Sequence, residues 1–359
     1  MVRMNPFARV PKVPLGQEVL DICFRRASKA QPKVSKRADK IVRVKVAEIA
    51  KLDSATSLIS EQLSGVVKSF PSLDSIDPFY KEIANIIVGI DKLRQALGAL
   101  DGYRQVIKDV GRNYNRKIRS SSTTEEIRKL RKMAYGRLSS IMRKASARLQ
   151  ILGDAREKLK KIVSINIDEP TVVVAGSPNV GKSSLVRLIS SARPEIADYP
   201  FTTKSLIIGH LPYGKRRIQV IDTPGLLDRP ISERNSLELQ AITALRYLGM
   251  VMIFLFDATE ICGYSRNTQL NVFNEIAQLF NETPTIIVLN KIDLLTKEQL
   301  SEARRTIPSG YPIAEISALK CVGIDTLKDA IHRTIDSLIP PENNSKSTIP
   351  PSRKVIPRT

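Results

Sequence analysis

The chain has 359 residues, 42% of them hydrophobic, and a mean hydropathy of −0.13, which suits two or three domains with packed cores. Its most apolar run, Val251 to Phe256, is far too short to span a bilayer. The first residues lack the apolar stretch of a signal peptide, and three scattered cysteines (Cys23, Cys262, Cys321) with two histidines (His210, His332) give neither a disulfide framework nor a zinc site. The formal net charge of +21 is unevenly placed: Lys and Arg stand 35 to 16 against Asp and Glu over residues 1–165, but 18 to 19 over residues 166–339. Such asymmetry points to a polyanionic partner for the first part. The expected protein is soluble, cytoplasmic and monomeric, with no membrane partner.

Residues 1–15 carry Pro6, Pro11 and Pro14 and read as extended. From about Gln17 to Lys161 the pattern is helical. Ile41, Val44, Ala47, Leu52, Ala55, Ile59, Leu63 and Val66 make one apolar stripe. Ile83, Ile86, Ile87, Ile90, Leu93, Leu97 and Leu100 make a second, and Ile127, Leu130, Ala134, Leu138, Ile141, Ala145, Leu149 and Leu152 a third. Ser122 with Glu125 reads as the capping box that starts the third helix. Three long helices with short links predict an antiparallel bundle. Its link at residues 112–122 falls at the end where the first long helix begins. That end gathers Arg25, Arg26, Lys36, Arg37, Arg112, Arg116, Lys117, Arg119, Arg128, Arg131 and Lys132 into a basic pole.

From Thr171 short β-rich runs alternate with helices. Strands are expected at 171–175, 205–210, 217–221, 250–256, 285–289 and 313–316. Helices are expected at 182–191, 237–248, 268–280, 297–306 and 324–338. This βαβ series predicts a mostly parallel, doubly wound sheet. The fold class is thus α followed by α/β: an antiparallel helical bundle over residues 1–165 and a P-loop domain over 166–339. Residues 340–359, proline-rich and basic, read as a disordered tail.

Gly176, Ser177, Pro178, Asn179, Val180, Gly181, Lys182 and Ser183, with Ser184 following, have the spacing of a phosphate-binding loop between a strand and a helix. Glycines let the backbone curl so that N–H groups face phosphate oxygens, and the helix N-terminus adds positive potential. Lys182 would pair with the β- and γ-phosphates, and Ser183 would ligate Mg²⁺. Asp222, Thr223, Pro224 and Gly225 end the third expected strand. Asp222 can hold the same Mg²⁺ through water, and the Gly225 amide can sense a γ-phosphate. Asn290, Lys291 and Asp293 end a later strand. The Asp293 carboxylate would accept hydrogen bonds from the N1 and N2 edge of guanine, donors that adenine lacks. The Lys291 stem can lie over the base while Asn290 braces the loop. Ser317, Ala318 and Leu319 follow the last strand and can meet guanine O6. All these motifs fall at strand C-terminal ends, where ligands bind in doubly wound folds. Thr203, with Thr202 next in preference, would reach Mg²⁺ and the γ-phosphate. GTP and GDP with Mg²⁺ are therefore the expected ligands.

These motifs, the Tyr199-Pro200-Phe201-Thr202-Thr203 segment and the preceding basic helices resemble the archaeal branch of the nucleolar GTP-binding proteins, grouped with the Obg-related GTPases. The resemblance implies GTP hydrolysis and assembly of the large ribosomal subunit through contact with ribosomal RNA. Leu226 stands where a Ras-like enzyme places a water-positioning Gln, so turnover should be slow. In related GTPases an Asn at the place of Asn179 can use K⁺ near the phosphates; Asn179 as a plain loop cap is the equal alternative. Lys182, Thr203, Gly225 and Asn179 are the candidate catalytic set, with K⁺ or the ribosomal particle as the stimulus. The competing reading is an RNA-binding assembly scaffold whose nucleotide is structural and not hydrolysed.

Overall fold

A computed structural model describes residues 5–32, 38–197, 199 and 205–339. Lys36, Arg37, Thr202, Thr203 and the tail at 340–359 lie outside the described residues. Packing divides the chain into two compact units. One comprises Pro6–Ile76 with Ile87–Lys161. The other comprises Asp77–Ile86 with Ile162 onward, together with Asn5. No shift in local composition marks the inserted segment.

The helical unit is built from α1 (Gly16–Ser28), α2 (Lys40–Ser69), α4 (Ile90–Ser120) and α5 (Thr124–Leu159). Side-chain bonds give the directions. Lys45 reaches Arg119 O at 2.7 Å, and Arg104 reaches Ser64 at 3.2 Å, so α2 and α4 run antiparallel. Phe24 stacks on Tyr135 at 4.4 Å between centroids, on the facing sides of α1 and α5. Leu52, Ile59, Leu63, Leu93, Leu100, Leu138, Leu149 and Leu152 are buried. These are the positions of the three apolar stripes, as helical periodicity requires.

Three readings change. The second stripe is not one helix: α3 (Pro78–Val88) stops before Gly89, whose φ of +76° breaks the α-helical course. The link expected at 112–122 is short, because α4 continues to Ser120. The cap of α5 is Thr123, which accepts from Glu126 N at 3.3 Å, one residue beyond the expected Ser122.

The second unit holds a seven-stranded sheet in the order β2-β3-β4-β1-β5-β6-β7. The strands are β1 (Thr171–Ala175), β2 (Glu195–Ala197), β3 (Leu206–Tyr213), β4 (Arg216–Asp222), β5 (Val251–Asp257), β6 (Thr285–Asn290) and β7 (Ile313–Glu315). β1 pairs parallel with β4 and β5, β5 with β6, and β6 with β7, while β2–β3 and β3–β4 are antiparallel. The mostly parallel sheet expected from the βαβ pattern is present. β2 has no counterpart among the expected strands, because its three residues are exposed or half-buried and show no apolar run. The helices are α6 (Lys182–Ile189), α7 (Ser236–Arg246), α8 (Arg266–Leu279), α9 (Lys297–Thr306) and α10 (Ile324–Leu338). Val172, Val174, Val220, Ile253, Leu255 and Val288 pack with Leu185, Leu327 and Ile331 into one apolar core. At roughly 1.5–3 kcal/mol for each fully buried large aliphatic side chain, this core fixes the strand ends on which the motifs stand.

Candidate nucleotide site

Gly176 to Gly181 join β1 to α6. A Cβ on Gly176 would meet Leu255 O at 2.4 Å, and one on Gly181 would meet Asn290 Nδ2 at 2.4 Å. Gly181 also has a φ of +103° and caps α6. Only glycine permits both the turn and the close approach. Asn179 is exposed and left-handed, at φ +61°. Lys182 opens α6, and its ammonium donates to Gly176 O at 2.8 Å and Ser177 O at 2.9 Å. The Ser177 hydroxyl is buried without a hydrogen-bond partner among the described residues. Pro178 is half-buried and Ser184 exposed.

Ser183, in the first turn of α6, donates to Asp222 Oδ2 at the end of β4 at 2.5 Å. Asp222 is fully buried, and its Oδ1 has no hydrogen-bond partner among the described residues. Burial raises its carboxyl above the ordinary value, against the Ser183 bond and the Lys182 charge that lower it. A hydroxyl beside a buried carboxylate with an unmatched oxygen, in an all-oxygen setting of Ser183 and Asp222, fits a hard divalent cation such as Mg²⁺. Among the described residues no cluster of three His, Cys, Asp or Glu side chains could hold a metal alone.

Thr223 donates to Val174 O at 3.2 Å. Pro224 is half-buried. Gly225 N–H, expected to sense a phosphate, instead donates to Asp228 Oδ2 at 2.8 Å. Leu226 is 1% exposed and packed in the core, where it orients no water.

Asn290 ties the remaining motifs together. Its Nδ2 donates to Val180 O at 2.8 Å, and its Oδ1 accepts from Ala318 N at 3.0 Å. Lys291 is left-handed at φ +65°. Asp293 sits in a short 3-10 turn, exposed, and makes no side-chain hydrogen bond or ion pair among the described residues. Ser317 is buried and accepts from Lys320 N at 3.0 Å, while Leu319 is 82% exposed. The phosphate-loop, Asp222 and Asn290 motifs and Ala318 thus meet at one edge of the sheet.

Two features escaped the sequence reading. Asp257, at the end of β5, is fully buried and pairs with Lys291 at 2.7 Å. Arg234 has a fully buried side chain and binds Asp228 and the Gly225 carbonyl. Neither lies in a motif, so only tertiary contact reveals them.

In the helical unit, Arg25, Arg26, Arg112, Arg116, Lys117, Arg119, Arg128 and Lys132 are exposed at the end formed by the α4–α5 link. Arg131 differs: it pairs with the buried Glu48 and lies over the Tyr135 ring at 4.8 Å. Arg112 also has an ion partner, Asp109. No helix among the described residues is long and apolar enough to cross a membrane.

Residues 7–166 match the NOG1 N-terminal helical domain, and residues 171–291 match the 50S ribosome-binding GTPase family. The uncharacterized protein MJ1408 of Methanocaldococcus jannaschii is 38% identical over 82% of this chain and 83% of its own length. Nucleolar GTP-binding protein 1 of Drosophila melanogaster is 35% identical over 90% of this chain and 50% of its own length. The protein of the same name from Caenorhabditis elegans is 33% identical over 94% of this chain and 50% of its own. The chain spans about half the length of these two animal relatives. With a helical domain joined to a P-loop GTPase domain and this breadth of identity, the chain belongs to the nucleolar GTP-binding protein 1 family.

Proposed function

We propose that the chain binds GTP and GDP with Mg²⁺, hydrolyses GTP slowly, and uses its nucleotide state to govern how the basic helices grip RNA of the large ribosomal subunit or its precursor. One observation carries the reading: Asn290 bonds both Val180 of the phosphate loop and Ala318 of the segment expected at guanine O6. A single carboxamide so placed holds phosphate and base subsites at fixed separation. Asp293 supplies the acceptor for guanine, Lys182 and the loop amides supply phosphate binding, and Ser183 with Asp222 would hold Mg²⁺. That ion, when bound, would neutralise charge on the phosphates.

Leu226 supports slow turnover, since a core leucine leaves water positioning to something outside this side-chain set. Asn179, exposed within the loop, is the place where K⁺ would act. The names of the relatives and the ribosome-binding description of the matched family favour the large subunit as partner. The exposed Arg and Lys side chains at the α4–α5 end suit phosphate contacts. The buried Leu226 equally favours a scaffold with a structural nucleotide, and a turnover assay separates the two. Rates are to be measured in K⁺ and Na⁺ buffers, with and without large subunits, beside co-sedimentation in GTP, GDP and no nucleotide. Stimulated turnover with nucleotide-dependent binding to the large subunit is the expected result. Equal rates in all four conditions and state-independent sedimentation would sink the switch.

A further inference from the structure

Asp228 follows Gly225 by three residues, just past a turn over Thr223–Leu226 closed by Leu226 N to Thr223 O at 3.1 Å, and its carboxylate folds back onto the Gly225 amide. One carboxylate oxygen takes that N–H at 2.8 Å, and the other accepts from Arg234 at 3.2 Å. Arg234 cannot swing away freely. Its side chain is fully buried, and it also donates to Gly225 O at 2.5 Å and Arg229 O at 3.3 Å. Asp228 itself is 8% exposed. The carboxylate is therefore clamped from one side and aimed at the amide from the other.

We propose that Asp228 sets the discrimination between GTP and GDP, by holding the Gly225 amide as a substitute for the γ-phosphoryl oxygen that GDP lacks. This rests on reading the site as a GTP site. Carboxylate and phosphoryl oxygen are both anionic acceptors, and one N–H directs one strong bond. GTP must displace Asp228 to gain that bond, whereas GDP leaves it in place. The apparent affinity for GTP is reduced by the fraction of molecules still clamped, and that for GDP is not. Arg234 keeps the displaced carboxylate paired, so the exchange strands no buried charge.

The test uses the full chain with Mg²⁺, titrated with fluorescent GDP and with a fluorescent non-hydrolysable GTP analogue. Asp228→Asn keeps the shape and removes the charge; Asp228→Ser removes the reach. Both should bind the GTP analogue about tenfold tighter, the scale of a lost charged competitor, with GDP affinity changed less than twofold. A change equal for both nucleotides, no change, or weaker binding of the analogue overturns the proposal. Should both variants fail to fold, the Asp228 carboxyl carbon of labelled wild-type protein decides. Its chemical shift must move when GDP is replaced by the analogue, and an unmoved signal overturns the proposal. Wild-type protein that binds neither nucleotide would instead sink the GTP reading itself.

Discussion

Lys291 Nζ lies 2.7 Å from Asp257 Oδ2, and the carboxylate it meets is fully buried. Asp257 also accepts from Thr259 N at 3.0 Å and Cys262 N at 2.8 Å. Burial works to raise this carboxyl, but the bonds from Lys291, Thr259 and Cys262 outweigh it and hold the group below its ordinary value. The Lys291 stem is thus fixed at its tip by a residue 34 positions earlier. In Asp257→Asn the ammonium loses its counter-charge while the side-chain shape remains. GDP and the GTP analogue should both weaken, each about tenfold, with their ratio unchanged. Equilibrium titration checks this, and undiminished binding would remove Asp257 from the base site. The unchanged ratio separates this effect from that of Asp228.

Asn290→Ala leaves Val180 O without its donor and Ala318 N without its acceptor. Val180 O is buried, and a buried polar group left unmatched costs about 1–3 kcal/mol, with a smaller loss at the half-buried Ala318 amide. GDP dissociation should quicken at least tenfold, read by displacement of a fluorescent nucleotide. A dissociation rate equal to wild type would mean that the two loops hold their places without the bridge.

The strand-end motifs were legible because local rules create them. A phosphate loop needs its glycines at fixed spacing, and the apolar runs of β1 and β6 mark two of the strands that carry the motifs. The break at Gly89 was not legible, since apolar residues continue in register on both sides and only the φ of +76° interrupts them. The Asp257–Lys291 and Glu48–Arg131 pairs span 34 and 83 residues. No periodicity encodes such partners, and a charge count treats all four side chains as solvated. Arg131 shows the consequence: it counts toward the basic pole in sequence, yet a buried carboxylate takes it up.

The RNA assignment follows the same distinction. Arg128 and Lys132 are exposed on the first turns of α5, and neither has an ion pair among the described residues. Reversing both, Arg128→Glu with Lys132→Glu, should weaken binding to large-subunit RNA by at least tenfold. The slope of log affinity against log salt should flatten by roughly one to two. Filter binding across a salt series measures both quantities. Unchanged affinity with an unchanged slope would move the RNA surface elsewhere on the protein. Arg131→Glu is not an equivalent probe, because it places a second carboxylate against Glu48 and acts on the fold.

That pair also sets a pH window for the helical unit. Burial tends to raise the Glu48 carboxyl, but the bonds and charges of Lys51 and Arg131 outweigh it, and the group lies below its ordinary value of 4.5. The folded protein therefore holds the ionised form more strongly than the unfolded chain does. The stabilisation is complete above about pH 4.5 and drains away as pH falls through the lower, folded-state value. Glu48→Gln keeps the volume and removes the charge, leaving Arg131 half-buried beside a neutral amide. At pH 7 this should cost about 2 kcal/mol, within the range for charged hydrogen bonds. Denaturant unfolding of wild type and variant across pH 3 to 7 tests it. The difference should be constant in the upper part of that range and shrink below pH 4.5, where wild-type Glu48 itself becomes neutral. A difference independent of pH would show that Glu48 contributes by packing alone.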